Sequence, residues 1–172
     1  KGGVSYDFDC RQVVAAPTTS DFASMTAAPG GVGATHLLAP GQPVQYTFEF
    51  QNPGSDTARS VVLRTTILPE LNPATFRPVA ASHPFEWVMR SGNELEISFP
   101  GIELPAGQTN PDSSRGFFIF SIDQTQGLTP GTAVYSYFDA RFDNAISLQS
   151  TYAHTIGEPL PKGLSCAPDG IQ

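Results

Sequence analysis

The residues whose types could do chemistry fall into a few small groups, and spacing decides what each could do. Asp139, Arg141 and Asp143 stand two apart, so on an extended chain all three project from one face. Asp139, Asp143 and Asn144 could together offer calcium the oxygen atoms it takes. No D-x-D-x-D-G loop surrounds them, and Arg141 between the carboxylates equally makes a ladder that neutralises itself. Ser82-His83 sets a hydroxyl beside an imidazole, and His36 and His154 complete the histidines. Hydrolase chemistry would call for a G-x-S-x-G elbow and a zinc protease for H-E-x-x-H; the sequence has neither. His83 precedes a proline in a turn-like phrase that suits local hydrogen bonding. Glu94 and Glu96 share a strand face, as glycosidase carboxylates can, but on an open face such a pair is simply solvated. Trp87, Tyr135 and Tyr137 are rings on which a sugar could stack. Trp87 shares its face with Phe85 and Met89 and is expected to point into the core. Tyr135 and Tyr137 lie on the polar face of their segment, which makes them the ligand-binding candidates.

The elements that must position these residues are strands. Val134, Ser136, Phe138, Ala140 and Phe142 alternate with Tyr135, Tyr137, Asp139, Arg141 and Asp143, the pattern of a half-buried strand. Val134, Phe138, Phe142 and Ile146 also fit helical spacing. The density of Tyr, Phe, Thr and Val and the lack of a capping residue favour the strand. Val44, Tyr46, Phe48 and Phe50 alternate with polar neighbours, and Asn52-Pro-Gly54 closes that run. Further strands are expected over 59–67, 75–79, 85–89 and 94–99, the last with Leu95, Ile97 and Phe99 inward, followed by a long loop over 100–114. In Gly116–Ile122, Phe118, Phe120 and Ile122 take one face while Phe117 and Ile119 make the other apolar too. A sandwich strand needs one apolar face, so something is expected to cover the second. About eight short strands without a confident helix give an all-β, antiparallel, immunoglobulin-like β-sandwich.

Residues 1–35 read as an extended N-terminal arm, with a possible strand within 4–14 and then an Ala/Pro/Gly/Thr-rich stretch. Residues 36–161 read as the sandwich and 162–172 as a tail. Val4, Tyr6 and Phe8 share one face of the arm, and the arm is the expected cover for Phe117 and Ile119. With a formal net charge of −7, the chain is a poor partner for nucleic acid or an anionic membrane. No apolar stretch is long enough to insert into a bilayer. Both lysines, Lys1 and Lys162, fall in the expected tails, away from any buried isopeptide crosslink.

Several phrases in order resemble a conserved-repeat, immunoglobulin-like domain of surface and secreted proteins of Bacteroidota, over about 40–161. They are Pro40-Gly41, Asn52-Pro-Gly-Ser-Asp-Thr-Ala58, Leu71-Asn-Pro-Ala-Thr-Phe76, Asn110-Pro-Asp-Ser-Ser-Arg-Gly-Phe117, Tyr137-Phe-Asp139 and His154-Thr-Ile-Gly-Glu158. Ser147-Leu-Gln-Ser-Thr151 departs from the family's usual phrase after the long strand. The resemblance implies a non-enzymatic module without a cofactor, extracellular or at the cell surface after removal of a signal peptide. Cys10 and Cys166 lie near opposite ends and in no C-x-x-C motif. Domain termini are often close, and an extracellular compartment is oxidising, so an intrachain disulfide is expected, with a bond between two copies as its rival. The leading expectation is a structural subunit that associates with copies of itself or neighbouring domains, the arm adding as a strand to the next sheet and building a filament. The alternative is a carbohydrate- or ligand-binding adhesion module using Tyr135 and Tyr137.

Overall fold

The computed structural model describes residues 22–143 and 145–157. Among these residues there is no helix. The strands are β1 (Ala23–Ala28), β2 (Leu37–Leu38), β3 (Pro43–Gln51), β4 (Ala58–Thr66), β5 (Leu71–Ala81), β6 (Glu86–Arg90), β7 (Glu94–Leu104), β8 (Arg115–Gln124), β9 (Ala133–Phe142) and β10 (Ile146–Ile156). One sheet runs β1-β3-β8-β5 and the other β2-β10-β9-β4-β7-β6. Every pairing is antiparallel except the short parallel one between β2 and β10. The expected all-β sandwich is therefore what the chain forms.

Alternation decides which side chains fill the space between the sheets. Val44, Tyr46, Phe48 and Phe50 of β3 and Phe118, Phe120 and Ile122 of β8 are buried from one side. Val134, Ser136, Phe138, Ala140 and Phe142 of β9 and Leu95, Ile97 and Phe99 of β7 are buried from the other. Aromatic rings carry the contact across: Phe48 meets Phe138 at 5.3 Å between centroids, Phe120 meets Phe138 at 5.6 Å, and Phe50 meets Phe99 at 5.5 Å.

The structure departs from the sequence reading at several points. β9 stops at Phe142, and the chain turns at Asp143, which holds a positive φ of 48°. β7 does not end at Pro100. It continues to Leu104 through an irregular stretch in which Ser60 faces Pro100 and Ala58 faces Leu104, and Ile102 and Leu104 then become the inward residues. Residues 23–28, expected to be arm, form β1 at the edge of the four-stranded sheet, with Met25 buried opposite Phe48. β1 lies beside β3 in the plane of that sheet, not over it. Phe117 accordingly remains 36% exposed and Ile119 half-buried, without the cover expected from this part of the arm. Trp87 is likewise not a core residue. It sits on β6, the last strand of the six-stranded sheet, 47% exposed, with its ring 5.1 Å from that of Phe76. Val4, Tyr6, Phe8, Cys10, Asn144 and Cys166 lie outside the described residues.

Candidate functional site

The outward residues of the six-stranded sheet form a continuous polar face. Cross-strand register sets its rows: Val88 of β6 lies opposite Glu96 of β7, Glu96 opposite Arg64 of β4, Arg64 opposite Asp139 of β9, and Asp139 opposite Gln149 of β10. A shallow groove of about 450 Å³ runs along this row and takes in Arg90, Glu94 and Tyr137. Tyr135 is 49% exposed two residues before Tyr137, so both tyrosines lie on the open face, as their alternation requires.

The charges on this face are pinned to one another. The Arg64 Nε donates to Glu96 at 2.8 Å, and an Arg90 guanidinium nitrogen donates to the other Glu96 oxygen at 3.0 Å. Partial burial pulls the Glu96 carboxyl upward, but Arg64 and Arg90 outweigh it and hold the group below the ordinary carboxylate value. Glu96 is thus neutralised by two arginines. Asp139 accepts from the Arg141 Nε at 3.2 Å and from the Ser147 hydroxyl.

Asp143 goes elsewhere. Its carboxylate accepts the backbone N–H of Ser60 at 2.8 Å, that of Arg59 at 3.1 Å and the Ser60 hydroxyl at 3.0 Å, tying the β9–β10 turn to β4. Burial raises the carboxyl, and these donors together with the Arg59 charge more than reverse the effect. The two carboxylates considered for calcium are therefore committed to different partners. Arg141 neutralises Asp139, and the Arg59–Ser60 backbone holds Asp143. Among the described residues, no three His, Cys, Asp or Glu side chains group as a metal site.

Each histidine makes a local contact. His83 Nδ1 lies 2.8 Å from the Ser82 hydroxyl, which itself accepts the Phe117 N–H at 2.9 Å and extends the β5–β8 pairing. His36 donates from Nδ1 to the Gly30 carbonyl at 2.7 Å, and Tyr152 donates to the same carbonyl at 2.9 Å, so the β1–β2 connection is strapped onto β10. His154 is buried with Nε2 3.3 Å from Gln124 Nε2, while among the described residues its Nδ1 and the buried Tyr46 hydroxyl have no hydrogen-bond partner. Burial, reinforced by His36, depresses the His154 imidazole below its ordinary 6.5, and burial pushes the Tyr46 phenol far up. Below pH 6.5 the unfolded chain takes up a proton at His154 that the folded chain resists, so stability falls as pH drops through that range, by at most ~1.4 kcal/mol per pH unit. Urea midpoints at pH 7.5 and 5.5 should therefore diverge more in the wild type than in His154→Leu. An equal gap would clear His154 of the effect.

Sequence reading found Tyr135, Tyr137, Asp139 and Glu96 but missed that Arg64, Arg90 and Gln149 complete the same face. Each sits at an outward strand position, and only the strand order brings them together. The fold and the open face define a two-sheet β-sandwich domain in which Glu96 and Asp139 are held in ion pairs and Asp143 in a turn contact. The chain belongs to the DUF7619 family, described as a domain of unknown function, whose profile matches residues 24–155. No curated protein matches it. Among solved structures it is similar to the collagen-binding domain from a Staphylococcus aureus adhesin, at 11% identity and a TM-score of 0.48, covering 82% of this chain and 100% of that one. The seventh ScaB type I cohesin from Pseudobacteroides cellulosolvens is 10% identical with a TM-score of 0.46, covering 85% and 99%. BcpA, the major pilin subunit of Bacillus cereus, is 11% identical with a TM-score of 0.47, covering 79% of this chain and 39% of that one. Likeness at this level transfers no role to this chain.

Proposed function

We propose that this chain is a non-enzymatic extracellular module of a surface protein, and that it works as a self-contained unit presenting the outer face of its six-stranded sheet to a ligand. One observation carries the reading. β1 and β2 close onto this chain's own sheets, Met25 and Leu38 entering its own core, while the face that bears Tyr135 and Tyr137 stays open. The paired-off state of Glu96, Asp139 and Asp143 supports a surface that recognises rather than reacts. Acidic net charge disfavours nucleic acid, and among the described residues no helix is long and apolar enough to cross a membrane. Light scattering under non-reducing conditions is expected to give a mass near the chain's 18.3 kDa.

A large, open-ended mass distribution would overturn that reading in favour of a second one, self-association. The observation favouring it is the exposed Phe117 with the half-buried Ile119 beside it on the outer side of β8. Val4, Tyr6 and Phe8 of a neighbouring copy would supply the cover, and head-to-tail addition of that kind builds an open filament. The deletion that separates the two readings removes residues 1–21 and spares β1, because Met25 belongs to the core. Assembly that persisted after this deletion would exclude the arm as its cause.

A further inference from the structure

We propose that the groove on the outer face of the six-stranded sheet binds an uncharged carbohydrate chain; the proposal rests on the ligand-binding reading above and names the ligand class. Three observations narrow the occupant. The first is that the groove floor is built from the interior strands β7, β4 and β9 with β10 beside them. Along the row itself the floor is paired strand to strand, Glu96 with Arg64, Arg64 with Asp139 and Asp139 with Gln149, so an extended peptide lying across it has no edge ladder to extend. Recognition on this floor must go through side chains.

The second observation is electrostatic. Arg64 and Arg90 are matched by Glu96, and Arg141 by Asp139, at 2.8–3.2 Å. A sulfated or phosphorylated ligand would meet Glu94, Glu96 and Asp139 as well as the arginines, and a cationic one would meet the reverse. A mosaic of fixed and mutually cancelled charges suits a ligand with no net charge.

The third is the kind of donor that this pinning leaves over. Arg64 spends its Nε on Glu96, and beside the groove Arg141 spends its Nε on Asp139; among the described residues the terminal nitrogens of both guanidiniums have no hydrogen-bond partner, and the side chains are 50% and 45% exposed. A carboxylate that holds a guanidinium in place removes much of the ordering cost of binding. Pinned planar donors, carboxylate and amide acceptors at Glu94 and Gln149, and the ring of Tyr137, with the exposed Tyr135 ring beside the groove on the same face, together match the hydroxyl pairs and C–H faces of a sugar ring.

The test is an array of neutral and sulfated oligosaccharides, with an array of peptides alongside, read for the intact chain and for Tyr135→Ala, Tyr137→Ala and Arg64→Met. The expected result is retention of at least one neutral oligosaccharide, insensitive to salt, weakened ten-fold or more by Tyr137→Ala and Arg64→Met. Tyr135→Ala, on the most exposed ring, guards against loss through misfolding, and each variant's melting temperature is read with it. Retention of sulfated sugars alone, or neutral-sugar binding that survives all the variants, overturns the proposal. Peptide binding abolished by the same substitutions would sink the carbohydrate assignment yet keep the ligand-binding reading. No retention on either array would sink both.

Discussion

Asn52→Ala should lower the unfolding free energy by about 3 kcal/mol, although the residue sits in what looks like an ordinary turn. Asn52 is buried, and its amide nitrogen donates to the carbonyls of Asp56 at 2.8 Å, Leu104 at 2.9 Å and Pro105 at 3.1 Å. Its side-chain oxygen accepts the Gly54 N–H at 2.9 Å. The backbone on either side is also engaged: the Asn52 N–H reaches the Ser114 carbonyl, and the Gly107 N–H reaches the Asn52 carbonyl at 3.0 Å. One side chain thus joins the β3–β4 turn to the end of β7 and the loop after it. Alanine would remove these four side-chain bonds, whose net losses of about 1 kcal/mol each add only in part because they share one amide, so a total of about 3 kcal/mol is expected. For a chain of this size the melting temperature should fall by about 6–12 °C. Asn52→Asp is the sharper variant. It keeps the shape but turns an oxygen toward three carbonyl oxygens, so it should cost at least as much as alanine at neutral pH. A milder effect for aspartate, or a loss below about 1 kcal/mol for alanine, would show that the amide is not what holds the end of the sandwich. Gly107→Ala should reproduce part of the loss, because a Cβ there would run into the Asn52 carbonyl.

How much of this was legible beforehand differs by kind of feature. The inward faces of β3, β8 and β9, and of β7 as far as Phe99, could be read residue by residue, because period-two alternation is local and a buried face tolerates few exceptions. Asn52-Pro-Gly54 announced a turn, yet nothing local says that Asn52 reaches Leu104, which is 52 positions away. The turn at Asp143 carried a signal that alternation obscured: Asp and Asn accept left-handed backbone and turn chemistry, and Asp143-Asn144 supplies both types. β1 was hidden by composition. Ala23-Ser-Met-Thr-Ala-Ala28 has small side chains that pack at a sheet edge without the branched and aromatic residues by which strands are recognised. Trp87 misled for a related reason. Its face was read correctly as the one carrying Met89, but an edge strand extends beyond the opposite sheet's cover, and position within the sheet is not written in the strand itself. The groove shows the same limit. Tyr137 and Asp139 were visible as outward residues, whereas their neighbours Arg64, Arg90 and Gln149 come from three other strands through register alone.

Phe138→Ala is expected to be the most damaging single truncation, at about 3–5 kcal/mol. Phe138 is completely buried on β9, and its ring lies against Phe48 on one neighbour and Phe120 on another, both from the opposite sheet. Phe120 in turn packs on Phe76 at 5.5 Å and on Tyr46 at 5.3 Å, so the ring sits within a chain of aromatic contacts spanning the four-stranded sheet. Truncation would lose both the transfer free energy of the ring and the edge-to-face and tilted contacts, and the backbones of two sheets cannot close on the space left behind. Phe138→Leu should recover most of the loss, since it refills the volume with an apolar group. Tyr135→Ala, three residues earlier and on the open face, should change stability by less than about 0.5 kcal/mol. Denaturant titration of the three variants therefore separates the two faces of one strand. A large cost at Tyr135 would mean that its ring is part of the sheet's packing and not free for a ligand. A small cost at Phe138 would mean that the sheets are held mainly elsewhere, along the Phe50–Phe99 contact and the Asn52 turn.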